Sequence, residues 1–386
     1  MIYYRLFFSC RIWFLSHFFT LATTVLGAPD EDTALTVLPA HSLLLEGKGY
    51  EAVALSALGS YGAIVFCFLL VIPLRLLVGA PVQLYAVLRE IMLWVLIAIS
   101  ILMIATEKGK IHAFRAKPPC PSFLGMMFAF FLFLLSGIFG LIIFQLSVDS
   151  PIGLSSPVLF PALAGLFGTP TLLTSLLTKP TIPKQDLTMP VLDTKTKKSS
   201  ILSVITGSFG GILVSIIPGI TSATGTILAM TARGESDKRQ TIITLSAVNT
   251  ACAFFVVVVL FIILRSRSGA TLAVKQLIAV EEWNALLMPA TLTYFLIALL
   301  LGGTLSYFFT LSVGKLFAKY FANIPYTKLV LFTIAVITIL VILFTGLLGL
   351  LILIVATGIG LLPVNWGVRR SHCMGILLLP IILYFV

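Results

Sequence analysis

Residues 199–232 read SSILSVITGSFGGILVSIIPGITSATGTILAMTA, 34 residues without one charged side chain. As a straight helix at about 1.5 Å per residue this run would be about 51 Å long, against a bilayer hydrocarbon core of about 30 Å. It is too long for one span, and Pro218-Gly219 sits in its middle. Proline removes a backbone donor and glycine tolerates the turn, so two half-helices meeting near Pro218 are predicted. The second would open at Thr221 and Ser222, whose hydroxyls suit an N-cap. In the upstream half, Gly207 and Gly211 have the G-x-x-x-G spacing that lets helices approach closely.

The rest of the chain is of the same kind. Residues 118–178 hold one charge, Asp149, and neither 240–264 nor 329–368 holds any. Of the 386 residues, 59% are hydrophobic and 10% charged, against about 25% charged in an ordinary soluble domain. The fold class is therefore all-α, a polytopic integral membrane helical bundle of roughly nine to eleven segments at about 20 residues each, multi-pass in the cell membrane. A sizeable soluble catalytic or DNA-reading domain is excluded. The net charge of +11 comes from Lys and Arg in small clusters between apolar runs, the pattern of side chains facing anionic headgroups and not of a nucleic-acid surface. Cys10, Cys67, Cys120, Cys252 and Cys373 have no C-x-x-C spacing, so neither a disulfide framework nor a zinc site is indicated, and no metal or cofactor is expected.

Along the chain, Arg5 and Arg11 before an apolar Trp13–Leu26 could mark a signal peptide cut near Val25 and Gly27. The interrupting basic residues favour an ordinary first helix. The loop Ala28–Glu51 carries Asp30, Glu31, Asp32, Glu46 and Glu51 with one lysine, Lys48, and reads as extracytoplasmic. Spans are expected at 53–74, 83–106, 122–146 and 157–177, the last interrupted by Gly165, Gly168 and Pro170. The stretch 179–200, with Lys184, Lys195, Lys197, Lys198 and three prolines, reads as a cytoplasmic linker. It divides a first membrane repeat, 1–178, from a second, 201–386. The second half offers apolar segments at 201–232, 241–264, 285–311, 329–345, 346–362 and 374–386.

Two weak internal matches point to a repeat. Ser136-Gly137-Ile138-Phe139-Gly140 parallels Thr345-Gly346-Leu347-Leu348-Gly349, and Gly27-Ala28 before Thr33-Ala34-Leu35 parallels Gly269-Ala270 before Thr271-Leu272-Ala273. The two offsets differ by about one helix, and one odd helix inverts a repeat, as in inverted-repeat transporters with broken, re-entrant helices. Carried further, the second offset would place the counterpart of 207–225 before residue 1, so the first repeat lacks its opening broken helix.

The first-turn backbone N–H groups and the positive end of a helix dipole at Thr221, Ser222 and Ala223, held inside a membrane, would form a site for an anion. One helix later, Ser246, Asn249 and Thr250 make a polar turn in an apolar helix. Any one glycine of 207–225 reads better as packing. Taken as a unit, Pro218, Gly219, Ile220, Thr221, Ser222 and Ala223, with Asn249 and Thr250, read as a substrate-binding site. At these residues the chain resembles a known family. Ile217-Pro218-Gly219-Ile220-Thr221-Ser222-Ala223, Ser246-Ala247-Val248-Asn249-Thr250 and Arg265-Ser266-Arg267-Ser268-Gly269-Ala270 are similar to motifs of the tripartite tricarboxylate transporter permease (TctA-like) family, archaeal branch. So are Leu26–Leu35, Leu38–His41 and Gly47–Ala52 in the first long loop, and Gly165–Gly168 with Pro183-Lys184-Gln185 at the end of the first repeat. Members of that family open on a first proline-glycine broken helix, whereas residues 1–24 contain neither Gly nor Pro. The resemblance is thus to a member shortened at its N-terminus.

What the resemblance implies is a permease, not an enzyme: a secondary transporter for a small carboxylate-like organic anion, coupled to Na or H ions. It also implies a small membrane subunit and an extracytoplasmic binding protein as partners, alongside the lipid bilayer. Two alternatives are open. One is an intramembrane enzyme acting on a lipid or peptide with Asp30, Asp32, His41 and Glu46, although no H-E-x-x-H or paired catalytic signature supports it. The other is a polyprenyl-phosphate flippase, because a helix N-terminus receives phosphate as well as carboxylate.

Overall fold

A helix that is apolar all round must be surrounded, and one that is apolar with small residues on one side packs there and shows its other side to lipid. Both kinds occur in this computed structural model. It describes residues 37–79, 81–107, 122–146, 158–178, 183–190, 193–217, 222–233, 237–266, 280–284, 287–321 and 326–386, with single positions between. Among them, seven helices are long and apolar enough to cross a membrane, and two apolar stretches are shorter. Lipid-facing positions are recognisable by exposure: Leu69 is 71% exposed and Leu347 79%.

The helices fall into two compact units, each drawing on both halves of the sequence. The first contains α1 (Val37–Leu45), α2 (Gly49–Val78), α3 (Leu84–Glu90), α8 (Thr194–Ile216), α9 (Ser222–Arg233), α10 (Lys238–Ile263) and α11 (Ala290–Phe321). Its centre is α10, against which α2, α8 and α9 all pack. Glycines set the spacing. A Cβ on Gly59 of α2 would lie 2.5 Å from the Ile243 carbonyl oxygen, and one on Gly207 of α8 2.6 Å from that of Thr244. These helices therefore meet backbone to backbone. Further along, Phe254, Phe255, Phe261, Phe295 and Trp283 fill the core.

The second unit contains α4 (Met92–Ala105), α5 (Ser122–Gln145), α6 (Leu159–Leu163), a π-turn at Ala164–Gly168, α7 (Thr169–Thr178), α12 (Tyr326–Trp366), a 3-10 turn at Arg370–Met374 and α13 (Gly375–Tyr384). The interruption expected at Gly165, Gly168 and Pro170 is the π-turn, a local loosening inside a continuous helix. α12 would be about 62 Å long if straight, and it breaks at Gly346, with φ 64° and ψ −160°. That is the boundary between the expected segments 329–345 and 346–362, in a conformation essentially reserved for glycine. Gly137 and Gly140, matched in sequence to Gly346 and Gly349, do something else: a Cβ on Gly140 would lie 2.2 Å from the Ile376 carbonyl oxygen, so they seat α13 on α5.

Two expectations change. The span at 83–106 is two helices, α3 and α4, that meet at Ile91 beside the charged Arg89 and Glu90 and belong to different units. And the loop ending at Glu51 cannot lie across the membrane from the linker. The backbone N–H of Asp186 donates to the Gly47 carbonyl at 2.7 Å, and the Gly49 N–H donates to Gln185 Oε1 at 2.8 Å. The linker's last residues, from Thr194, are already helical.

Candidate functional site

The 34-residue run is interrupted where its length and Pro218-Gly219 require: α8 ends at Ile216 and α9 starts at Ser222. Pro218, Gly219, Ile220 and Thr221 lie outside the described residues. The half-helices do not continue one another. α9 folds back along α8 as an antiparallel hairpin, because small residues line both: a Cβ on Gly210 would lie 2.9 Å from the Gly225 carbonyl oxygen, and one on Gly225 3.1 Å from that of Gly210. At about 18 Å, α9 is too short to cross the bilayer.

The helix registers give the relative heights of two of the expected site residues, Ser222 and Thr250. Gly210 stands opposite Gly225, which places Ser222 level with about Leu213. Gly211 packs against Val248 and Ala251 of α10, which puts Thr250 at nearly the same height. Ser222 and Thr250 are buried, and they lie about 20 Å along α8 from Ser200, within the hydrocarbon depth. Ala223 is the second residue of α9. By helical spacing, α10 turns Ala247, Val248 and Ala251 to α8, and Ile243 and Ser246 to α2. Ser246 is occupied there by a buried hydroxyl–hydroxyl hydrogen bond to Ser56, 2.8 Å. Asn249 is half-buried on a third face, with Leu245 and Cys252.

The hairpin's open end is tied by Arg233, which the sequence reading passed over. Its guanidinium donates to Ser199 Oγ at 3.1 Å, Gln240 Oε1 at 2.7 Å and Thr244 Oγ1 at 3.3 Å, and also to Ser203 Oγ. One side chain thus joins α8, α9 and α10. A clue was available: an arginine ending an uncharged run, with serines one helical turn apart at 199 and 203. Next to this knot, Lys238 Nζ is 2.9 Å from Glu46 and Arg239 Nε is 2.7 Å from Glu51. Glu46, a candidate for acid–base work, is therefore half of an exposed ion pair. The bond to Lys238 holds its carboxyl below the ordinary carboxylate value. Asp30 and Asp32 lie outside the described residues, as does the side chain of His41.

Compared with known proteins, residues 13–375 match the tripartite tricarboxylate transporter TctA family. The chain belongs to that family. An uncharacterized protein of the archaeon Methanocaldococcus jannaschii, MJ1079, is 26% identical over 379 residues, 96% of this chain and 86% of that protein, in keeping with the resemblance to the archaeal branch. No solved structure matches the chain. A TctA-family chain is a membrane transporter, and two family-like motifs distant in sequence meet in the fold. Gly47–Ala52 and Pro183-Lys184-Gln185 dock on each other through Gln185, whose Nε2 also donates to the Leu44 carbonyl at 3.1 Å.

Proposed function

We propose that this chain is a multi-pass permease of the cell membrane that carries a small carboxylate-like organic anion, driven by a sodium or proton gradient. The anion binds at the tip of the α8–α9 hairpin. The backbone N–H groups of Thr221, Ser222 and Ala223 receive its negative charge, Pro218, Gly219 and Ile220 shape the approach, and Asn249 and Thr250 supply polar groups at about the same height on α10. The observation that carries this reading is the antiparallel packing of α9, from Ser222, on α8, which ends at Ile216, within a membrane-depth segment, with Ser222 level with Thr250. Membership of a transporter family agrees with it. A small membrane subunit and an extracytoplasmic binding protein are the partners the family suggests.

The test is a thermal-shift and binding screen of purified protein against mono-, di- and tricarboxylates, inorganic phosphate and a polyprenyl phosphate. A carboxylate should raise the melting temperature. Gly219→Leu should abolish that rise, and Asn249→Ala should weaken binding about fivefold, one side-chain hydrogen bond of about 1 kcal/mol. Stabilisation by polyprenyl phosphate alone would favour the flippase, and carboxylate binding untouched by Gly219→Leu would remove the site from the hairpin tip.

A further inference from the structure

Glu107 and His372 are far apart in sequence, yet His372 Nε2 lies 2.8 Å from Glu107 Oε2, with His372 1% and Glu107 5% exposed. The backbone N–H of Arg369 donates to the same carboxylate oxygen at 3.2 Å. The His372 carbonyl accepts from Ser136 Oγ at 3.3 Å. Ser136 lies about 21 Å from the start of α5 and about 14 Å from its end, so the turn carrying His372 packs at the middle of a membrane-crossing helix. An acid and a base placed there are costly to keep unless they have a use.

The neighbouring residue connects this pair to the bulged helix. Arg370 donates to the Phe167 carbonyl at 3.4 Å and to the Thr171 hydroxyl, while Thr171 donates to the same carbonyl at 2.9 Å. Phe167 belongs to the π-turn, where the helical ladder is already loosened. Among the described residues, the other elements around the pair supply almost no charge. No residue of α5, α6, the π-turn, α7 or α13 is charged, and α12 has only Lys328, in its first turn. The charged and titratable groups facing the pair, among the described residues, are Arg369, Arg370 and Cys373 on its own turn.

The atom that can change state is identifiable. A carboxylate at Nε2 fixes the tautomer in which Nε2–H donates, leaving the lone pair on Nδ1. Nδ1 is buried and has no hydrogen-bond partner among the described residues. Most buried side-chain polar atoms have a hydrogen-bond partner, and one that lacks it calls for a reason. Here one proton added at Nδ1 makes an imidazolium whose charge Glu107 balances, and its loss restores the neutral ring. We propose that the His372–Glu107 pair is a proton-binding site, and that its charge state sets how firmly the Arg369–Cys373 turn holds the π-bulged helix. On the permease reading, and resting on it, this makes the proton the coupling ion.

The test needs no substrate. In lipid nanodiscs with ¹⁵N-labelled histidine, the imidazole signal that vanishes in His372→Gln should pass between the neutral and the charged form of the ring as pH is varied. In Glu107→Gln its proton affinity should fall about tenfold or more, because the balancing charge is gone. Hydrogen exchange of residues 164–178, corrected for its intrinsic pH dependence, should differ severalfold between the two charge states of the ring in the natural protein and show no such difference in His372→Gln. If His372→Gln fails to fold, Glu107→Gln serves in its place, and the titration of the natural protein decides alone. A His372 ring that holds one charge state throughout, or exchange at 164–178 indifferent to it, overturns the proposal. In proteoliposomes with an internal pH dye and citrate as probe, a titrating His372 without citrate-dependent proton movement keeps the proton site and counts against the permease reading.

Discussion

Arg233 ties the first unit's hairpin together, reaching three side chains at 2.7–3.3 Å and Ser203 besides. Hydrogen bonds to a charged group contribute about 1.5–3 kcal/mol each, but they share one cation and do not add. Arg233→Ala should therefore destabilise by on the order of 3 kcal/mol, and Arg233→Lys, with one ammonium for a four-way fork, should recover less than half of it; melting curves in detergent measure both. The neighbouring Glu46–Lys238 pair behaves differently because it is exposed. Its bond to Lys238 depresses the folded carboxyl value, so its contribution is present above the ordinary carboxylate value and is lost as pH falls through the lower, folded one. A double-mutant cycle with Glu46→Gln and Lys238→Met should find coupling at neutral pH that is lost in acid, below the ordinary carboxylate value, and fades in high salt.

That α8 ends at Ile216 and a new helix opens at Ser222 was legible because two local facts sufficed: an uncharged run longer than the bilayer and Pro218-Gly219 inside it. That α9 turns back on α8 was not, because the direction is set by Gly210 meeting Gly225, and glycine's small size does not name its partner. The Glu107–His372 pair was invisible for the same reason, since neither residue has a local motif and only the fold joins them. Gly346 lies between these cases. Its segment boundary was readable from length, while its repeat match to Gly137 suggested a shared role that the backbone does not share. Gly346→Ala should cost about 1–3 kcal/mol for the Gly-only conformation, or else straighten α12. Gly137→Ala should instead loosen α13 from α5, since its Cβ would fall 2.5 Å from Leu379 Cδ2. Distances between spin labels across residue 346 distinguish a straightened helix from a merely weakened one.

At the scale of the whole molecule, sidedness can be argued for the first unit from what its charged end contains. Residues 46–51 are bonded to 183–186 and to Lys238 and Arg239, so these segments share one face of the membrane. Composition alone pulled them apart, since Glu46 and Glu51 made the first loop look acidic while Lys184 made the linker look basic. The contacts merge them into one end holding Lys48, Lys184, Arg233, Lys238 and Arg239, with the lysines at 195, 197 and 198 opening α8. Orientation follows the count of Lys and Arg, to which acidic residues contribute little. This end is therefore expected in the cytoplasm, each cation contributing about 1 kcal/mol against an anionic leaflet, and Glu46 and Glu51 go with it as ion-pair partners. In a variant whose native cysteines are replaced, Lys48→Cys and Lys184→Cys should react with a membrane-impermeant maleimide from the same side, only after the cytoplasmic face is opened. Labelling of Lys48→Cys from outside intact cells, with Lys184→Cys protected, would restore the acidic loop to the extracytoplasmic side and break the Gly47–Asp186 and Gly49–Gln185 contacts that define this end of the unit.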